Sequence, residues 1–242
     1  MTTISVILPV YNESECIEKT LYSVFDYLKT RPNYYFLFVN DGSTDETKQI
    51  LESKILELKA SHIQLISYEN RQGKGYAVSK GVEYANGDYI CFIDSDLAYS
   101  LEHLEELVEK LNIFDVVIGC RNMHPDSLQR VKFSRMVAGK VFNILSNKIL
   151  NLKYRDMQAG LKGFKNHAAK ELFKKQELTG FSFDAELIYL ANKLGYTIGE
   201  ILAKVSEKHQ YKFSKVKLIK DSFRMLLDLL KIRFYDWTGR YE

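Results

Sequence analysis

The chain is short of the residues that staple, break or anchor a fold. Its 242 residues include only three cysteines, three prolines and one tryptophan. Cys16, Cys91 and Cys120 lie far apart with no C-x-x-C spacing, which argues against zinc and against a disulfide framework, and makes a reducing cytoplasm the simplest setting. No run of about eighteen apolar residues exists that could span a bilayer. Met1-Thr2-Thr3 leads directly into an apolar stretch, so no signal peptide is expected. Repeats, low-complexity tracts and Pro/Gly/Ser-rich linkers are also missing, and the length suits one α/β domain. Charge of one sign is scarce: 34 basic against 31 acidic residues leave +3, so attraction to an anionic partner must be local. The basic residues join no recognition motif for nucleic acid, and none is expected as a partner.

Apolar runs and helical periods alternate instead. Ile4 to Val10 reads as a buried strand closed by Pro9, and Ile17 to Leu28 as a helix. Tyr35 to Val39 is a second strand, ending in Asn40-Asp41-Gly42. Ser43 with Glu46 three residues later then reads as a capping box for a helix to about Leu58. Strands at His62–Ser67, Tyr89–Ile93 and Asp115–Gly119 alternate with helices at Gly75–Asn86 and Leu101–Leu111. This order predicts a mainly parallel sheet with helices on both faces, a Rossmann-like α/β domain. Ligands of such sheets bind outside the carboxyl ends of the strands.

The sharpest signal is Tyr89-Ile90-Cys91-Phe92-Ile93-Asp94-Ser95-Asp96, an apolar strand ending in two carboxylates separated by one residue. Alone, an Asp-x-Asp is a solvated turn or a helix cap. At the mouth of a crevice it suits Mg²⁺ or Mn²⁺, which accept oxygen ligands and keep water and substrate phosphates in the shell. Asp41 could accept hydrogen bonds from a base N–H or a ribose hydroxyl, or serve as a turn residue before Gly42. Asn70-Arg71-Gln72-Gly73-Lys74-Gly75 is a basic, glycine-punctuated loop opening a helix. Its backbone N–H groups and Lys74 are candidates for an anion, with a solvated loop as the plain alternative.

Four segments together resemble the inverting family-2 glycosyltransferases of GT-A fold: Val6 to Glu13, Val39 to Asp45, Asn70 to Gly75, and Asp94-Ser95-Asp96. Within that family, Arg155 to Phe164 and Phe181 to Glu186 look most similar to the dolichyl-phosphate β-glucosyltransferase branch, with the dolichyl-phosphate mannose synthases slightly further away. The resemblance runs from about Ile4 to Tyr235. It implies a nucleotide-sugar half, about 1–120, and an acceptor half, about 121–210. Pro9, Tyr11, Asn12, Glu13, Asp41, Gly73, Lys74, Asp94 and Ser95 would bind the donor, UDP-glucose ahead of GDP-mannose. Asp94 and Asp96 would hold the metal. Arg121, Arg135, Asp156, Gln158 and Lys162 would face a polyprenyl phosphate, with Asp96, Asp184 and Arg121 as the catalytic set. Arginine forks suit phosphate. The pattern departs at Gly139, where the mannose synthases have a serine, and at Ala98, where they can offer a metal-ligating glutamine; Asn143 matches.

A lipid acceptor demands a route to the membrane. From Lys212 to Phe234, basic residues interleave with apolar ones, so 211–242 reads as a basic amphipathic helix. It could lie on the cytoplasmic face of an anionic membrane or pack on the domain or a second copy, giving a homodimer. The stretch Leu128 to Leu150, read as one long helix with Arg130, Lys132, Arg135 and Lys140, is a second candidate for that surface. Two rivals stand beside the lipid reading. A transferase acting on a sugar hydroxyl would need a carboxylate base at Asp184 or Glu186, and the chain lacks the Q-x-x-R-W motif of processive enzymes. A non-catalytic scaffold on the same fold would have no use for the paired aspartates.

Overall fold

The structure, a computed structural model, describes residues 1–121, 133–205 and 218–242, with side chains described except in 133–140 and 218–223. The apolar runs become strands covered on both sides. In β1 (Ile4–Val10), Ile4, Val6 and Leu8 enter one core while Ile7 enters the other, the period of two expected of a pleated strand. In β2 (Tyr34–Asp41), Phe36 and Phe38 oppose Leu37 and Val39 in the same way. With β3 (Ile63–Tyr68), β4 (Tyr89–Ile93), β5 (Val116–Cys120), β6 (Leu161–Lys165) and β7 (Ile198–Leu202), the described residues form one sheet in the order β3-β2-β1-β4-β6-β5-β7.

The helices are α1 (Ile17–Leu28), α2 (Thr47–Leu58), α3 (Lys74–Tyr84), α4 (His103–Leu111), α5 (Phe133–Leu150), α6 (Asn166–Lys175), α7 (Phe183–Lys193) and α8 (Leu218–Trp237). Leu21 and Val24 of α1, Leu51 of α2 and Leu104 and Leu107 of α4 cover one face. Val78 and Val82 of α3, Leu172 of α6, Leu187 and Leu190 of α7, and Leu229 and Ile232 of α8 cover the other.

Three features position the site. β1 sits between β2 and β4, so the chain runs outward in both directions from it, and the crevice between the ends of β1 and β4 is the topological switch point. Pro9 lies beyond the last β1–β4 pair, Ile7↔Phe92, where a residue without an N–H is tolerated. β6 runs antiparallel to β4 and β5, with Ile93 opposite Leu161, so the segment before β6 arrives at the carboxyl end of β4.

The structure corrects one reading of the local elements. Ser43 does not cap α2: its hydroxyl accepts the Asn12 N–H at 2.9 Å, and Asp45 instead accepts the Thr47 N–H at 3.1 Å. The long helix is seen from Phe133, so Arg130 and Lys132 lie outside the described residues, as do Lys212, Lys215 and Lys217 ahead of α8.

Candidate active site

The loop after β1 is braced rather than loose. Asn12 takes a left-handed backbone at φ 50, and its amide oxygen accepts the Thr44 N–H at 2.8 Å. The Glu13 N–H reaches the Thr47 hydroxyl at 2.8 Å, while its carboxylate accepts the Cys16 thiol at 2.9 Å. Tyr11 lies under the Arg71 guanidinium, 3.9 Å from its ring centroid. The β1 and β2 loops are thereby laced together beside the basic loop.

Asp41 closes β2 almost fully buried, and the basic loop wraps its carboxylate. It accepts the Gln72 N–H at 2.7 Å, the Gly73 N–H at 3.0 Å and the Tyr68 hydroxyl at 3.0 Å, with Arg71 3.8 Å away. Gly73 sits at φ 112, where an added Cβ would collide with the Thr179 carbonyl. That carbonyl accepts the Gly75 N–H at 2.8 Å. The expected anion cradle is therefore corrected: the backbone N–H groups of Gln72, Gly73 and Gly75 are spent on Asp41 and Thr179. What the loop presents to the crevice is Lys74.

Lys74 reaches across to β4 and pairs with Asp94 at 2.7 Å. Burial opposes its charge, yet Asp94 and Asp184 outweigh this and raise its pKa above the ordinary lysine range. The Asp94 N–H is held by the Gly160 carbonyl at 3.1 Å, and a Cβ on Gly160 would overlap the Asp94 carboxylate. The chain then turns sharply: the Leu97 N–H returns to the Asp94 carbonyl at 3.0 Å, with Leu97 at φ 50. Asp96 accepts the Ala98 N–H at 3.0 Å. Ser95 is buried, and its carbonyl is held by the Thr20 hydroxyl at 2.8 Å.

Across the crevice, Arg121 forks onto Asp156, with Nε 2.6 Å from Oδ2 and Nη2 2.9 Å from Oδ1. Burial raises the Asp156 pKa, but Arg121 outweighs it and holds the carboxyl below the usual range. The Gln158 N–H also donates to Asp156, at 3.0 Å. Behind this pair, Lys162 of β6 binds Asp184 of α7 at 2.6 Å and the Ala159 carbonyl at 2.7 Å. Burial pulls Lys162 below the ordinary lysine range against the opposing pull of Asp184. Glu186 is fully buried and accepts the Glu177 and Leu178 N–H groups and the Tyr241 hydroxyl. Arg135 falls in the first turn of α5, but its side chain lies outside the described residues. Asn143 is occupied elsewhere, its amide donating to the Tyr154 and Arg155 carbonyls.

Contacts thus link the expected residues from Asp41 through Gly73 and Lys74 to Asp94, and from Asp94 through Gly160 to the Lys162–Asp184 pair. The sequence reading missed Gly160, Thr20 and Thr179. A glycine just ahead of a strand at the crevice was the available sign for Gly160; Thr20 and Thr179 carried none.

Among the described residues no group of three or more His, Cys, Asp or Glu side chains gathers to hold a metal. The donor set at β4 is two carboxylates, which fits a hard cation completing its shell with phosphate oxygens and water. Lys74 already places one positive charge against Asp94.

Residues 5–173 match the family described as Glycosyl transferase family 2. The chain is 28% identical over 252 residues to the dolichyl-phosphate beta-glucosyltransferase of Dictyostelium discoideum, spanning 99% of this chain and 76% of that protein. It is 31% identical over 256 residues to dolichyl-phosphate beta-glucosyltransferase ALG5D of Trichomonas vaginalis, spanning 98% and 76%. A crystal structure of glucosyl-3-phosphoglycerate synthase from Mycobacterium tuberculosis in complex with Mn²⁺, UDP and phosphoglyceric acid shares the fold, with a TM-score of 0.64 at 18% identity over 99% of this chain and 78% of that one. With the family's match covering more than half of the chain, and the GT-A sheet placing its paired aspartates at the switch point, the chain belongs to the family-2 glycosyltransferases.

Proposed function

We propose that this enzyme moves glucose from UDP-glucose to a polyprenyl phosphate such as dolichyl phosphate, with inversion, at the cytoplasmic face of a membrane. The observation that carries the reading is the state of the two acids where a base would stand. Asp184 is consumed by Lys162, and Glu186 by two backbone N–H groups and Tyr241. A sugar hydroxyl needs a base to take its proton, whereas a phosphate monoester is already ionised near neutral pH. Such an acceptor oxygen attacks the anomeric carbon as the bond to the diphosphate breaks, and no proton need move.

Tyr11, Asn12, Glu13 and Asp41 would frame the base and ribose, next to Pro9. Gly73, Lys74, Asp94 and Ser95 would lie along the sugar diphosphate. Arg121 and Arg135 would receive the acceptor phosphate, with Asp156 and Gln158 fixing Arg121. Asp184 and Lys162 would set the floor on which the hexose rests. A divalent cation at Asp94 and Asp96 would neutralise charge on the departing UDP. The relatives' names, which give dolichyl phosphate and glucose, support the substrate pair. On this reading the donor half would end, and the acceptor half begin, at about residue 120.

The test is transfer of radiolabel from UDP-glucose and GDP-mannose, in parallel, into polyprenyl phosphate, with Mg²⁺ or a chelator, by the wild type and Asp96→Ala. Label in lipid from UDP-glucose alone, lost on chelation and on mutation, is expected. Label from GDP-mannose alone would reassign the sugar. UDP release to a free sugar with no labelled lipid would reassign the acceptor.

A further inference from the structure

We propose that Lys74 is a built-in counter-cation for the Asp94/Asp96 pair, holding Asp94 until the donor arrives, so that the nucleoside diphosphate and the divalent cation bind in concert. The inference rests on the metal reading of the two aspartates given above, and adds a role for Lys74 in deciding when that pair accepts a metal.

The geometry fixes the backbone of Lys74 and leaves its ammonium movable. On one side the Gly73 N–H is held by Asp41 at 3.0 Å, and on the other the Gly75 N–H is held by the Thr179 carbonyl at 2.8 Å. From this clamp the flexible four-carbon stem extends to Asp94, with the pair only partly exposed, 17% for Lys74 and 35% for Asp94. The ammonium lies 6.0 Å from the Phe92 ring centroid and 5.8 Å from that of Phe183. It cannot retreat inward: Lys162 stands over the same Phe92 ring at 5.6 Å and has already claimed Asp184. Its remaining course is outward, into the crevice.

A divalent cation approaching Asp94 alone meets this ammonium and is repelled by it, since unit charges a few ångströms apart interact strongly at a partly buried site. An arriving diphosphate changes the balance. Its oxygens accept Lys74, which releases Asp94, and the same oxygens complete the shell of the cation that Asp94 can now hold. The arrangement keeps Asp94 neutralised in the empty enzyme and couples metal affinity to occupancy by donor.

The test is direct binding of Mn²⁺, read from the free-ion electron paramagnetic resonance signal, with and without UDP, for the wild type, Lys74→Met, Lys74→Gln and Lys74→Arg. Without UDP, both neutral variants should bind Mn²⁺ about tenfold or more tighter than the wild type, while Lys74→Arg should stay near it. UDP should tighten Mn²⁺ binding strongly in the wild type and weakly in the neutral variants. Thermal melts identify any variant that fails to fold, and the other neutral variant then carries the comparison. Equal or weaker Mn²⁺ binding by a folded neutral variant without UDP overturns the inference while leaving the metal site and the transfer reaction standing. Absence of Mn²⁺ binding by every protein, with UDP present, overturns both this inference and the metal reading, and is told apart by labelling of lipid that persists under chelation.

Discussion

Lys162 and Asp184 meet at 2.6 Å with 0% and 4% of their side chains exposed, one from β6 and one from the first turn of α7. Removing one partner of such a pair strands a charge in the core. Asp184→Asn should therefore destabilise the fold by about 3–5 kcal/mol, whereas the double change Lys162→Met with Asp184→Leu should recover most of that loss. Urea unfolding of the three proteins decides it. An Asp184→Asn midpoint equal to the wild type would mean that the pair contributes nothing to stability. The double variant should fold and, on the proposed reading that the pair supports the hexose, still fail to transfer sugar.

Glu186 is the second buried acid of α7, and burial pushes its pKa up to about 7 despite the hydrogen bonds from Glu177, Leu178 and Tyr241 that favour its charge. Its folded pKa thus exceeds the ordinary value of 4.5, so the fold binds the proton more tightly than the unfolded chain does. The associated stability is present in full below the unfolded pKa and is lost as pH rises through the folded one. The difference is about 3 kcal/mol. The melting temperature of the wild type should fall relative to that of Glu186→Gln as pH is raised from about 5 to about 8. Parallel curves would place the carboxyl at an ordinary pKa.

Gly160 allows the Asp94 carboxylate to occupy its place, since any Cβ there would overlap it. Gly160→Ala should push Asp94 out of line and reduce transfer on the order of a hundredfold, the effect expected of a displacement near 1 Å at a reacting centre. Steady-state kinetics with the melting temperature measured alongside test this. Full activity in Gly160→Ala would show that Asp94 has room to move without consequence.

These residues also show what the chain discloses as a string of letters. Up to Cys120 the strands other than the edge strand β3 are buried on both faces, so they read as apolar runs, and the acids and glycines that end them mark the crevice directly. Beyond α5 the reading fails for a physical reason. β6 carries Lys162 and Lys165 around Gly163, a composition that resembles solvated loop, although Lys162 is wholly buried because Asp184 neutralises it. Asp184 and Glu186 in turn disguise α7, whose first nine residues are all buried. The supposed anion cradle of the basic loop fails differently: its N–H groups are satisfied by Asp41 and by Thr179, a carbonyl more than a hundred residues away whose position no local pattern encodes.

Arg121 is held as a fork by Asp156, and on the proposed reading its guanidinium receives the acceptor phosphate. Arg121→Lys keeps the charge and loses the fork. It should raise KM for the lipid phosphate about tenfold while leaving KM for UDP-glucose nearly unchanged. A fall in kcat with both KM values intact, together with a lower melting temperature, would make Arg121 a structural partner of Asp156 and nothing more.

The outer side of α8 is apolar where the inner side is already satisfied. Asp228, Leu229 and Ile232 face inward, with Asp228 accepting the Ser182 hydroxyl at 2.9 Å, while Leu227, Leu230, Phe234 and Trp237 stay exposed at 43%, 53%, 54% and 83%. Those four lie three or four residues apart, on one side of the helix, and Arg224, Lys231 and Arg233 are exposed nearby. Aromatic and aliphatic side chains flanked by cations suit the headgroup layer of an anionic bilayer, where a lipid phosphate would be met. Burial of one such side chain is worth about 1.5–3 kcal/mol, so Phe234→Ser with Trp237→Ser should weaken co-sedimentation with phosphatidylserine vesicles by at least about tenfold. Transfer to a short, water-soluble polyprenyl phosphate should be unaffected, because the crevice is untouched. If the stripe instead joins two copies of the chain, the same variant will sediment as a monomer where the wild type is a dimer, and vesicle binding will not change.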